Sequence, residues 1–194
     1  MVDWNYVGEI RQLQMQLYAM TGAGGYDLDA LCQADRLRLT EDGFYALSDD
    51  AWVMDRHHRH HPDAKYWHAN ETLSFGFTSH YSHMWEIFRP TPLGIAGENI
   101  IVDTQAMFRI DDIAGGVKID TDHGSIEFAS PEIAEPCVEF TRFLTERSNA
   151  SATDLKPWRE KLRNGVRGYV VAIEGDEPFE IARGDKVSVR ALGD

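Results

Sequence analysis

With 194 residues, 43% of them hydrophobic, the chain is long enough for one well-buried core and too short to assume two. Its formal net charge of -13 excludes an extended nucleic-acid or anionic-membrane surface, because attraction to phosphate needs clustered Lys and Arg; an anionic ligand would need a local basic pocket. Two cysteines, Cys32 and Cys137, make neither a disulfide framework nor a four-thiol zinc site.

No apolar run approaches the ~18 residues needed to span a membrane, and Met1-Val2-Asp3-Trp4 lacks the basic start of a signal peptide. The expectation is a single cytoplasmic domain over residues 1–194, with no nucleic-acid or membrane partner. The sequons at Asn70 and Asn149 then carry no meaning, since glycosylation requires secretion.

In chain order, Val7, Ile10, Leu13, Leu17 and Met20 fit a helical stripe, yet a strand around Val7 to Leu13 is favoured. Thr21-Gly22-Ala23-Gly24-Gly25 is too flexible to continue either element and reads as a loop. It lacks the Gly-Lys-Ser/Thr ending of a phosphate cradle. Residues 26–56 carry dispersed acids, which usually form a solvated face, and Cys32 reads as a small packed residue without chemistry.

Seven of the eight histidines fall between 57 and 83, beginning with Asp55-Arg56-His57-His58-Arg59-His60-His61. Neutral imidazoles are good zinc or iron ligands, so a histidine metal site is one alternative reading. The run lacks the His-Glu-x-x-His spacing that sets two ligands on one helical face, and a solvated or hydrogen-bonded loop is the favoured reading. Phe75 and Phe77 at period two predict a strand, and Tyr81, Trp85 and Phe88 at steps of four and three predict a helix after it.

The approach Arg89-Pro90-Thr91-Pro92-Leu93-Gly94-Ile95-Ala96-Gly97-Glu98-Asn99 is rich in turn residues and ends in the strand-like Ile100-Ile101-Val102. Residues 111–119 and 125–128 read as short strands separated by turns; Asp111-Asp112 is an acidic turn rather than a metal pair. Pro136 followed by Phe140, Phe143 and Leu144 at helical spacing puts Cys137 in the first turn of a helix. There, free backbone N–H groups and the helix dipole favour a thiolate, and Glu135 and Glu139 oppose it. Thr153 is read as the cap of a helix closing around Gly165. A strand over 164–171 and the turn Gly184-Asp185 into Val187 and Val189 complete the chain. Several short strands with Gly-rich turns favour a β-rich barrel.

Gly97-Glu98-Asn99-Ile100, then Pro136-Cys137, then Gly184-Asp185, in that order and spacing, resemble the MOSC domain, the module named after the C-terminal part of molybdenum cofactor sulfurases. The match is best over 94–192 and divergent over 1–50; upstream, Asp55-Arg56-His57 corresponds to a Gly-Asp-Arg-His motif with Met54 in place of the glycine. The resemblance implies a β-rich MOSC-type barrel with a few helices and association with the molybdenum cofactor (molybdopterin). It makes Cys137 the functional residue, either as molybdenum ligand in the reduction of N-hydroxylated compounds or as a persulfide sulfur carrier. It points to Gly97, Glu98 and Asn99 as cofactor contacts, though Glu98 and Asn99 also fit a purely architectural role; Arg167 is the first basic residue to consider as an anion contact. The partners it implies are a small-molecule substrate and a sulfur-donor or electron-donor protein. Pyridoxal phosphate would enter only through a partner desulfurase, since the chain has no desulfurase domain of its own. A non-catalytic barrel that binds a small anion or another protein is the third reading.

Overall fold

The computed structural model describes residues 3–22, 25–64, 67–175 and 177–192. β1 (Asn5–Gln16) alternates exposed and buried positions along its first half, and its inward residues Ile10, Leu13 and Met15 enter the core. The strand preferred by sequence for this segment is present, and the helical stripe is an accident of apolar spacing. β2 (Thr21–Gly22) pairs with β3 (Gly25–Tyr26) around the glycine-rich turn; Ala23 and Gly24 lie outside the described residues. The acidic segment read as a solvated face folds as β4 (Leu31–Ala34), β5 (Arg36–Thr40), β6 (Gly43–Ser48) and β7 (Ala51–Met54). Its acids sit on turns and outward positions, Asp55 excepted, while Leu37, Leu39, Phe44 and Ala46 are buried between them.

β8 (Leu73–Phe77) runs into α1 (Thr78–Ile87) and, after the turn-rich stretch, into β9 (Ile100–Asp103). β8 and β9 are parallel, a pairing that needs a crossover, which α1 and the following loop supply. α2 (Ile110–Ile113) is a single helical turn where the sequence predicts the start of a strand, because the Asp112 carboxylate accepts the Arg109 N–H at 2.7 Å and caps it. β10 (Gly116–Thr121), β11 (Gly124–Phe128) and β12 (Glu132–Ile133) lead to α3 (Val138–Thr145). α4 (Lys156–Glu160) is shorter than the helix read from the sequence and begins after Leu155. The Asp154 carboxylate is instead engaged by Ser151. β13 (Tyr169–Val171), β14 (Phe179–Ala182) and β15 (Lys186–Arg190) close the chain.

Among the described residues, nine strands form a sheet in the order β11-β10-β15-β1-β9-β8-β13-β12, with β4 also paired to β1; β14-β5-β6-β7 form a second sheet. The fold is mainly β, with a curled half-barrel sheet and few helices, as the sequence predicts. β1 bends at two register shifts, one between Tyr6 and Gly8 and one between Ile10 and Gln12. At Gly8 an added Cβ would collide with the Asp103 carbonyl, so this position must be glycine for β9 to close against β1.

Leu73, Phe75, Val102, Val117, Phe128 and Val187 leave a void of only about 10 Å³ inside the curl. The curl is a packed core, too full for a ligand. A second apolar cluster, built on Tyr81, Met84, Ile95, Ile101, Phe140, Leu144 and Leu162, lies where α1 and α3 cover the sheet. The chemistry-bearing residues gather at this second cluster. No helix among the described residues is long and apolar enough to cross a membrane.

Candidate functional site

Cys137 is the N-cap of α3, one residue earlier than a first-turn position, with extended backbone angles. Its Sγ accepts the Phe140 N–H at 3.3 Å, and its carbonyl accepts the Thr141 hydroxyl at 2.8 Å. The thiol occupies the place that Ser, Thr, Asp or Asn takes in most helix starts. It is half-buried and packs against the second apolar cluster.

Tyr26 on β3 faces it. The ring lies 5.4 Å from that of Phe140 and 5.2 Å from that of Phe143, and its hydroxyl donates to the Ile95 carbonyl at 2.7 Å. Burial pushes this phenol far above its ordinary range; Arg167 acts against the shift, and Glu98 and Cys137 add to it. Tyr26 and Cys137 pack against the same apolar cluster, and the Ile95 carbonyl that takes the Tyr26 hydroxyl is next in the chain to the Ala96 carbonyl that Arg167 reaches. Arg167, half-buried in the turn before β13, donates from Nη2 to the Ala96 carbonyl at 3.0 Å. Its Nε is buried without an acceptor among the described residues.

Gly97, Glu98 and Asn99 are all buried. Asn99 stitches three strands: its side-chain oxygen accepts the Ser74 N–H at 3.0 Å and the Ser74 hydroxyl at 2.8 Å, and its backbone carbonyl accepts the Gln14 N–H. The Gln14 side chain in turn donates to the carbonyls of Gly94 and Glu98, both at 2.7 Å, which fixes the whole 94–98 loop on β1. Gly97 turns the chain with φ 91°, and a Cβ there would press on Gln16 and Met20. These contacts are internal ones.

Glu98 points into the cluster. Oε2 accepts the Tyr81 hydroxyl at 2.7 Å, and the carboxyl passes between Gly76 and Gly168, where added Cβ atoms would touch it. Burial raises its pKa, a rise countered by the Tyr81 hydrogen bond and by Arg167. Tyr81 is likewise pushed up by burial and by Glu98. Gln14, Tyr26 and Tyr81 are the members of this arrangement that sequence reasoning passed over. Gln14 carries no motif, and a tyrosine at helical spacing reads as core until its hydroxyl partner is known.

The histidine run lies elsewhere, beyond the second sheet. Asp55 is fully buried; Oδ2 accepts the Gln16 N–H at 2.7 Å and Oδ1 accepts the His57 N–H at 2.8 Å. His58 is buried against Tyr45, with ring centroids 4.8 Å apart, and burial lowers its pKa. His60 reaches Asp42 at 3.1 Å. Each of these imidazoles has its own local partner, and the described residues contain no group of three or more His, Cys, Asp or Glu placed to hold a metal ion.

A cavity of about 580 Å³ opens on the outer face of α3, lined by Tyr26, Arg89, Glu139, Arg142, Phe143 and Glu146 among others. It shares Tyr26 with the Cys137 cluster, but the thiol does not line it.

No family model matches the chain, and no curated protein matches it. A search of solved structures pairs it with the YuaD protein from Bacillus subtilis at a TM-score of 0.61 and 12% identity, over 98% of this chain and 100% of that one. The fold is YuaD-like. A second structure, described only as a hypothetical protein, aligns at a TM-score of 0.55 and 12% identity, over 96% of this chain and 69% of that one. At such identity the likeness is one of fold alone, and it leaves the chemistry to be argued from the residues.

Proposed function

We propose that this is a molybdenum-cofactor-associated protein of MOSC type whose reactive centre is Cys137. The observation that carries the reading is the seat of the thiol: it caps α3, accepts the Phe140 N–H, and packs with Tyr26 against the apolar cluster whose Tyr81 holds the Glu98 carboxyl. The donor set suits the cofactor. A thiolate is a soft ligand fit for molybdenum and Arg167 offers a cation to a pterin phosphate, while Gly97, Glu98 and Asn99 brace the loop whose Ala96 carbonyl takes the Arg167 guanidinium.

When bound, the cofactor would supply the two-electron chemistry for reducing an N-hydroxylated compound, with electrons from a donor protein. Cys137 would hold the metal and Arg167 the phosphate. In the sulfur-carrier version the Cys137 thiolate attacks the outer sulfur of a donor persulfide. A new S–S bond forms on Cys137, the donor S–S bond breaks, and the donor leaves as a thiolate; that donor would be a separate pyridoxal-phosphate desulfurase.

The test is metal and pterin content of protein purified from a host that makes the cofactor. Wild type and Cys32→Ser should retain molybdenum, and folded Cys137→Ser should lose both molybdenum and persulfide formation. A folded Cys137→Ser protein that keeps molybdenum and reduces N-hydroxylated substrates at the wild-type rate overturns the reading. Stoichiometric zinc or iron would favour the histidine run, and absence of any metal would favour a binding barrel without catalysis.

A further inference from the structure

The cavity on the outer face of α3 is large enough for a small molecule, and nothing in the Cys137 chemistry uses it. One wall follows from helix geometry. Glu139, Arg142 and Phe143 stand at steps of three and four along α3 and share one face, and Glu146 follows as its left-handed C-cap. Tyr26 packs its ring on Phe143 from β3, so the two make a continuous aromatic surface. Arg89, from the loop after α1, lays its guanidinium 5.4 Å from the centre of the Phe143 ring.

The two arginines are held in place yet weakly paired. The Arg142 Nε donates to the Ala150 carbonyl at 2.9 Å, which fixes the plane of its guanidinium, while Nη1 lies 3.8 Å from Glu139. Arg89 Nη1 meets Glu146 at 3.2 Å, but that glutamate side chain is 69% exposed, and the Arg89 Nε has no acceptor among the described residues. Exposed ion pairs of this kind contribute little, so a ligand carboxylate can replace a glutamate on either guanidinium with small loss. Glu139 and Glu146 also set a limit on charge. The two arginines and two glutamates balance, so a monoanion adds one uncompensated charge and a dianion two, and the glutamates repel the dianion the more strongly.

We propose that this cavity binds a small organic monocarboxylate with an aromatic or other flat apolar body, its carboxylate on Arg89 and Arg142 and its body on Tyr26 and Phe143. The site is independent of the reading given to Cys137.

Phenylacetate is the probe, with phenylacetamide as its uncharged isostere and inorganic phosphate as the dianionic control, each titrated into the full wild-type chain by calorimetry or ligand-observed NMR. Saturable phenylacetate binding is expected, with phenylacetamide about tenfold weaker or more and no competition from phosphate. Arg89→Met and Phe143→Leu should each weaken phenylacetate by a similar factor, whereas Cys137→Ser, which disables the proposed thiol chemistry, should bind it as wild type does. Absence of saturable binding, equal affinity for the amide, or displacement by phosphate each overturns the proposal. The acid-against-amide comparison needs no variant, so it stands if a substitution fails to fold. Loss of molybdenum chemistry with phenylacetate binding intact would sink only the Cys137 reading, and the reverse result only this one.

Discussion

His80, on the buried face of α1, has its ring 5.1 Å from that of Phe77, its Nε2 donating to the Phe108 carbonyl at 3.0 Å and its Nδ1 buried without a partner among the described residues. Burial pushes its pKa down to about 4 from 6.5. Between those values the unfolded chain binds a proton that the folded one refuses. The stability contributed by the neutral ring is therefore complete above about pH 6.5 and is lost as the pH falls to about 4, a change on the order of 3 kcal/mol. Urea titrations across that range should show the loss in wild type and a flatter profile in His80→Gln, whose amide can still donate to Phe108. Glu98 has the opposite sign. Its raised pKa means that the neutral carboxyl favours the fold at low pH and that this contribution fades as the pH rises through the folded value. Glu98→Gln keeps an acceptor for Tyr81 and removes the charge, so its stability relative to wild type should be greater at pH 8 than at pH 5; a ratio independent of pH would show that the carboxyl stays ionised in the fold.

At the scale of the element, α3 begins on a thiol where a hydroxyl or carboxylate is the stronger cap. Cys137→Ser should therefore leave the stability within a few tenths of a kcal/mol or raise it slightly, and Cys137→Ala, which strips the Phe140 N–H of its acceptor, should lower it by about 1 kcal/mol. Equal stability of the two variants in urea would show that the Sγ contact is incidental. Elements of this kind were legible in the sequence to differing degrees. Phe75 and Phe77 alternate and Tyr81 and Trp85 do not, so β8 and α1 could be read in advance. β4 to β7 could not, since their buried residues are interrupted by turn acids and their pairing is set by long-range partners such as β14 with β5. The cap role of Cys137 was missed by one position because Pro136 signals a helix start without fixing which residue is the first helical one. The Tyr81–Glu98 pair had no signal at all, being a contact between α1 and a loop seventeen residues away.

On the scale of the whole molecule, Asp55 supplies a polar contact between the two sheets. It follows β7, an edge strand of the second sheet, and its fully buried carboxylate accepts the N–H of Gln16 at the end of β1 in the first. The Arg56 N–H to the Gln16 carbonyl, at 2.8 Å, completes the joint. Gly43 permits it, with φ 127° and no Cβ to press on the His58 backbone. The sequence drew attention to the histidines of this stretch as one cluster, but they differ in role: His58 is core, while His57, His60 and His61 lie at the rim. Asp55→Ala leaves the half-buried Gln16 N–H and the His57 N–H without their acceptor and should lower the stability of the chain by about 2–3 kcal/mol. His57→Gln, His60→Gln and His61→Gln together keep that carboxylate and replace exposed or half-exposed rings with polar ones, so they should change stability by no more than about 0.5 kcal/mol. Urea unfolding monitored through tryptophan fluorescence measures both. A triple histidine variant as unstable as Asp55→Ala would mean that the imidazoles, and not the carboxylate, hold the second sheet against the first.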